Sequence, residues 1–225
     1  MACGLRAPQR RPERELTRPV LPEAPRWSAL DRDARFAAEF FAAPVVEVAR
    51  GLLGACLVST IGGELSAGVI VETEAYGGAE DAASHAATVS GVTDRNRAMF
   101  GPGGRVYVYR SYGMHWCMNV VTGTEGEGQA VLLRGLSPIA GTDVMLHRRG
   151  RRPLAAGPGR LAQALGITDR QYAHDLSEEP LFLIPGWAVP DARVASSPRV
   201  GINAAADWQH RFYVRGAAGV SGASR

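Results

Sequence analysis

The chain contains no lysine: all 25 of its basic residues are arginine. That removes the side-chain amine on which Schiff-base chemistry depends, so amine nucleophilicity would fall to the N-terminus alone. Arginine is the better partner for phosphates and for aromatic faces. Cysteine is scarce, with Cys3, Cys56 and Cys117 odd in number and far apart. No CxxC or Cys/His cluster is present, which argues against a zinc site and a disulfide framework. A reducing, cytoplasmic setting fits. No apolar run approaches the ~18 residues of a membrane span. No HxH or HExxH spacing points to a metallohydrolase. The Arg- and Pro-rich N-terminus lacks an apolar core and does not read as a secretory signal.

What is present suits one domain of ordinary size: 225 residues, 46% of them hydrophobic, with a net charge of +3. A polyanion partner is permitted by that balance and not required by it. Residues 1–33 carry Pro8, Pro12, Pro19, Pro22 and Pro25 among seven arginines and read as a disordered tail. Residues 34–215 read as the folded domain and 216–225 as a flexible C-terminal tail. Within the domain, RFAAEFFAA and VVEVARGLL are short helices, with Pro44 at the start of the second and Gly54 at its end. ACLVST and ELSAGVIVETEAY are strands joined at Gly62-Gly63. RVYVYRSY and HWCMNVV form a hairpin, and QAVLLRGL is a further strand. Residues 138–147 are predicted helical, HRRGRRP a basic loop, and GPGRLAQALG a helix stopped by Gly166. LFLI and RFYVR close a fold of mostly hairpin-linked strands with helices around them. The class is α+β: one mostly antiparallel, curved sheet flanked by helices, with a protruding β-hairpin.

Residues 66–122 concentrate polar chemistry between apolar runs. Strand alternation puts Ile70, Glu72, Glu74 and Tyr76 on one face, with the glutamates about 7 Å apart. By themselves the two glutamates could be a surface pair or halves of ion pairs. Asp81, His85, Arg95, Asn96 and Arg97 lie in the Gly-rich loop 77–104, and loops of that length are usually functional or disordered. Tyr107 and Tyr109 share a face. Asn119 and Arg134 interrupt apolar strands. The hairpin tip, Ser111-Tyr112-Gly113-Met114-His115-Trp116, is aromatic and apolar where such tips are ordinarily polar. An oligomer interface is the competing reading of that tip.

The blocks ARGLLG, GVIVETEAYGGAEDAASHA, TDRNRAMFGPGGRVYVYRSYGMHWCMNVV, AVLLRGLSP, GPGRLAQALGI, SPRVGI and RFYVR resemble the alkyladenine (methylpurine) DNA glycosylase family, in family order over roughly residues 35–215. The resemblance implies a cofactor-free, metal-free enzyme that removes alkylated or deaminated purines of the 3-methyladenine, hypoxanthine and ethenoadenine class from duplex DNA. It implies Glu74 as the base that activates water, as hydrolysis of an N-glycosidic bond demands, with Arg134 nearby and Glu72 in support. It implies Tyr76, His85 and Tyr109 as stacking walls and Asn119 as the pocket floor that excludes guanine. Tyr112, flanked by Met114 and His115, would fill the gap left by a flipped base. Arg95, Arg97 and Arg160 would hold phosphates. With no lysine, the enzyme is expected to be monofunctional, leaving an abasic site. A monomer in the cytoplasm, at the nucleoid, is expected. His115-Trp116 after Gly-Met and residues 79–94 depart from the family pattern, leaving wedge shape and lesion preference open. The alternatives are a different transferase or hydrolase on a related fold, and a non-catalytic nucleic-acid-binding module.

Overall fold

A computed structural model describes residues 26–84, 88 and 91–222. The expected tail up to residue 25 and the site candidate His85 lie outside the described residues. Among the described residues, eight strands form one sheet: β1 (Cys56–Ser59), β2 (Ser66–Tyr76), β3 (Val106–Ser111), β4 (His115–Thr122), β5 (Gln129–Ala140), β6 (Leu181–Ile184), β7 (Val194–Ser197) and β8 (Arg211–Val214). The order is β3-β4-β5-β2-β1-β6, with β8 beside the C-terminal half of β2 and β7 beside β8. Every pairing is antiparallel. Four α-helices are found among the described residues: α1 (Ala38–Ala42), α2 (Val45–Gly51), α3 (Thr142–Arg149) and α4 (Pro158–Leu165). The α+β class holds.

Strand β2 is the axis of the sheet. It pairs with β5 along its whole length, with β1 through Ser66–Val69 and with β8 through Glu72–Glu74. Both its faces are covered, so it is buried up to Tyr76. Helix α2 packs on β2 and β5, and α4 packs on β4 and β5. Val45, Val48 and Ala49 supply the buried face of α2, and Leu161, Ala162, Ala164 and Leu165 that of α4. Gly54 is required where α2 turns into β1: its φ is +89°, and a Cβ there would stand 1.9 Å from the Trp187 carbonyl oxygen.

Several boundaries differ from expectation. The helix predicted over 138–147 begins only at Thr142, because Pro138 to Ala140 continue β5 against Gly68 and Ala67. A register irregularity between Ala67 and Gly68 accommodates Pro138, which has no N–H for the ladder. At its other end α3 runs on through Arg148 and Arg149, read as loop, until Gly150 in the left-handed region stops it. Strand β7, of sequence VASS, was not expected. Trp27 and Leu30, assigned to the N-terminal tail, pack against the core. Residues 216–222, assigned to a flexible tail, fold back: Ala217 and Val220 are buried and Ser221 hydrogen-bonds to Glu72. Two buried alanine- and valine-sized contacts and one hydroxyl leave no periodic signature in a Gly-rich segment.

Residues 93–100 of the long loop are also more ordered than its composition implies. Asn96 Oδ1 accepts from the Thr93 N–H at 2.6 Å, and a short 3-10 turn spans Arg97–Phe100. Ala98 and Met99 there join Tyr107, Val121 and Ala130 in a second, smaller core. That core anchors the loop beside strands β3 and β4.

Candidate active site

Glu72 and Glu74 are both fully buried on β2. They lie on the same side of the sheet, as alternation predicts, because both bind one guanidinium. Arg134 Nε donates to Glu72 Oε1 at 3.1 Å and Nη1 donates to Glu74 Oε2 at 3.2 Å. Local register explains the aim of Arg134. The β2–β5 pairing steps from Glu72↔Gly135 to Thr73↔Leu133, so Arg134 is the extra residue of a bulge.

Glu72 is saturated with donors. Besides Arg134 it accepts from Arg211 Nε at 2.7 Å, from the Ser221 hydroxyl at 2.8 Å and from the Ser221 N–H. Glu74 is held at three points: Arg134, the Tyr76 hydroxyl at 2.9 Å to Oε2, and the Val200 N–H at 2.7 Å to Oε1. Two carboxylates thus face two guanidiniums, and the charges balance. That density of hydrogen bonds offsets the desolvation that otherwise makes buried ions unfavourable.

Burial raises the Glu74 carboxyl above its ordinary value, and Arg134, the Val200 N–H and the Tyr76 hydroxyl pull against that rise. Arg134 is raised: burial alone would lower it, and the two glutamates overcome that. Burial also raises the Tyr76 and Tyr109 phenols, so both hydroxyls stay protonated at neutral pH.

Tyr76, Tyr109, Asn119 and Arg95 line one cleft of about 1230 Å³. Glu74 lies behind its wall: Tyr76 bridges to one carboxylate oxygen, and Val200, which precedes the lining residues Gly201 and Ile202, holds the other. Asn119 is cross-strand from Tyr107 and donates to its carbonyl at 3.1 Å, which fixes the amide at the cleft. Tyr107 and Tyr109 are 5.9 Å apart between ring centroids, and Tyr172 packs edge-on to Tyr107 at 6.4 Å. Tyr107 and Tyr172 were not among the sequence-derived site residues. Tyr107 was already legible as sharing a face with Tyr109; Tyr172 reaches the cleft only through the fold, its hydroxyl accepting from the Ala98 N–H at 2.9 Å.

Arg199 and Asp81 were also missed as a pair. Arg199 Nη2 donates to Asp81 Oδ1 at 2.8 Å, Nη1 donates to Oδ2, and Nη1 donates to the Ala75 carbonyl at 2.9 Å. The guanidinium lies over the Tyr76 ring, 4.7 Å from its centroid. Asp81 also accepts the Gly77 and Ala83 N–H groups. Burial would raise its carboxyl, but Arg199 and these N–H groups hold it below its ordinary value.

The β3–β4 hairpin carries the tip residues. Tyr112 is 88% exposed and Met114 70%; His115 is exposed too. Tyr112 has φ +50° and Gly113 +66°, the sign pattern of a type I′ turn, and the Met114 N–H reaches the Ser111 carbonyl at 3.1 Å. A tyrosine in the left-handed region costs on the order of 1 kcal/mol, and such outliers cluster at functional sites. Beside the tip, a Cβ on Gly159 would meet the His115 Cβ at 2.9 Å, so the first turn of α4 abuts the hairpin. Arg160 follows Gly159 in that turn, with Nη1 donating to the Ala156 carbonyl at 3.0 Å. Arg97 is apart from the cleft's lining, exposed and 3.4 Å from Asp94.

Comparison with known proteins gives a consistent result. A family model described as methylpurine-DNA glycosylase (MPG) matches residues 39–218. A Methanoculleus marisnigri protein is 46% identical over 190 residues, covering 82% of this chain and 97% of its own. A Chlorobaculum parvum protein is 44% identical over 191 residues, covering 83% and 90%. A Myxococcus xanthus protein is 46% identical over 185 residues, covering 81% and 91%. Each of the three bears the name "Putative 3-methyladenine DNA glycosylase".

Proposed function

The chain belongs to the methylpurine-DNA glycosylase family, and from that premise we propose that it flips alkylated or deaminated purines out of duplex DNA and hydrolyses their N-glycosidic bonds through Glu74. As a DNA glycosylase it is a hydrolase of DNA repair. Its class of lesion is 3-methyladenine, hypoxanthine and ethenoadenine.

The observation that carries this reading is the position of Glu74. It is a buried carboxylate with a raised pKa, one hydroxyl away from an aromatic cleft. A general base works best with its pKa moved toward the operating pH. In the reaction, Glu74 accepts a proton from water as the oxygen bonds to the anomeric carbon. The carbon–nitrogen bond breaks, and the purine departs with its electron pair. A cationic base leaves neutral; a neutral one leaves as an anion and takes up a proton from solvent. The ionised Glu74 also opposes the positive charge developing on the sugar. Arg134 fixes the Glu74 carboxylate and Glu72 fixes Arg134.

Tyr76 and Tyr109, with His85, are proposed as the stacking walls. Asn119, fixed to the Tyr107 carbonyl, is proposed to reject guanine, whose exocyclic amine adds a donor and bulk. Tyr112, with Met114 and His115, is proposed to fill the vacated stack. Arg95, Arg97 and Arg160 are proposed to contact phosphates. The lack of lysine supports a monofunctional enzyme that leaves an abasic site. The proposed partner is double-stranded DNA, bound by a monomer at the nucleoid in the cytoplasm.

The test is the purified chain in EDTA with duplexes holding hypoxanthine, ethenoadenine or methylated adenine, followed by alkali. Strand breaks only after alkali are expected. Lesion binding without release of any base would favour the non-catalytic module instead.

A further inference from the structure

The Arg199 guanidinium lies over the Tyr76 ring at 4.7 Å, yet Arg199 is buried and does not line the cleft. The ring therefore stands between a fixed cation and the space where a base would stack. Asp81 grips Arg199 with both oxygens and the Ala75 carbonyl takes a further N–H, so the guanidinium cannot swing away. Its position relative to the ring is set by β2 on one side and the 198–202 loop on the other.

We infer that Arg199 is a specificity-determining residue that makes the Tyr76 wall favour neutral over cationic purines. This rests on the proposed reading of the cleft. The face of a phenol ring attracts a cation through its negative quadrupole. A cation already seated on one face draws electron density toward itself, so a second cation on the other face meets a weaker attraction and a like charge. Asp81 neutralises the pair as a whole, but the guanidinium is the end of the dipole that meets the ring. Among the described residues, by contrast, the ring beside Tyr109 is that of Tyr107 and no guanidinium lies over it, so its face keeps its full attraction. One wall of the cleft thus discriminates against charge while the other does not, which lets a single site accept deaminated and etheno bases as well as methylated ones. Arg199 touches no substrate: it acts through Tyr76.

The experiment uses the full chain with Glu74→Gln, so that no base is released. Binding is measured to duplexes holding 3-methyladenine, which is cationic in its nucleoside, or its neutral carbon isostere 3-deaza-3-methyladenine. Asp81→Asn with Arg199→Gln then removes both charges while keeping polar partners. The preference for the cationic lesion relative to the isostere should rise about two- to five-fold, the range of one exposed cation–π contact. A merely structural role would lower both affinities and leave their ratio unchanged, and that result would overturn the inference. Should the pair not fold, Asp81→Leu with Arg199→Met carries the same expectation, because apolar residues of similar volume often replace a buried ion pair without loss. Failure of the unsubstituted Glu74→Gln chain to prefer either lesion over undamaged DNA would defeat both this inference and the reading beneath it. An unchanged ratio with lesion binding intact defeats this inference alone.

Discussion

Glu74→Gln separates the proposed chemistry from the architecture that supports it. Glutamine has the volume of glutamate, so packing around β2 is conserved. Its carbonyl can still accept the Val200 N–H, now 2.7 Å from Oε1. Its amide nitrogen would replace Oε2, and the Tyr76 hydroxyl can rotate to accept from it. Arg134 Nη1, at 3.2 Å, cannot: it is a donor that loses its acceptor. The buried set also goes from two glutamates against two arginines to one against two. Breaking an isolated buried pair costs about 3–5 kcal/mol. Here Arg134 keeps Glu72 and Ser221, so the relevant figure is that of one unsatisfied buried donor, about 1–3 kcal/mol. For a domain of this size that lowers Tm by about 2–12 °C. Base release should fall much further, by about 10²–10⁴-fold, the contribution of a general base. The assay is single-turnover excision from a hypoxanthine duplex, with lesion binding measured by anisotropy and Tm by calorimetry. Binding should persist. Release within about threefold of the parent chain would remove Glu74 from the role, since no general base is worth so little. Loss of binding in step with release would instead mark Glu74 as structural.

Tyr76→Phe tests the hydroxyl separately from the ring. The Tyr76 O–H stabilises the ionised form of Glu74, so removing it should raise an already raised Glu74 pKa. Activity needs the ionised form and is lost as pH falls, so the acid limb of the rate profile should move to higher pH; a uniform loss at every pH would refute the coupling. At the hairpin tip, Tyr112→Gly should leave Tm unchanged or raise it slightly. The exposed ring supports no core, and glycine relieves the left-handed backbone. The same change should weaken lesion binding and excision severalfold, and a Tm loss of several degrees would show that the tip is a structural turn after all.

Much of the fold was legible because its signals are local. Apolar residues at helical spacing placed α2, and Pro158 and Gly166 bracketed α4 where caps are expected. Period-two alternation placed Glu72, Glu74 and Tyr76 on one side of β2, although a bulge beside Val71 interrupts that alternation. Polar residues inside apolar strands marked Asn119 and Arg134. The α3 boundary was misplaced because β5 extends by pairing with β2, which no local preference announces. Arg199, Arg211 and Ser221 stayed hidden for a related reason. Arg199 meets Asp81 across 118 positions, and Arg211 and Ser221 meet Glu72 across 139 and 149. Their own neighbours in sequence give no hint of those partners.

The sequence alone determined the chemical inventory: a carboxylate beside a tyrosine at a strand end, aromatics at a hairpin, arginines in place of every lysine and so no side-chain amine for a covalent step. Those depend on residue type and short-range periodicity. Only the tertiary structure decided the electrostatic state of that inventory. Glu74 is buried, its pKa is raised, and Tyr76 carries a guanidinium over its ring, because segments distant in sequence close over β2. Burial and long-range charge pairing are properties of which surfaces meet, and they come into being only when the sheet does.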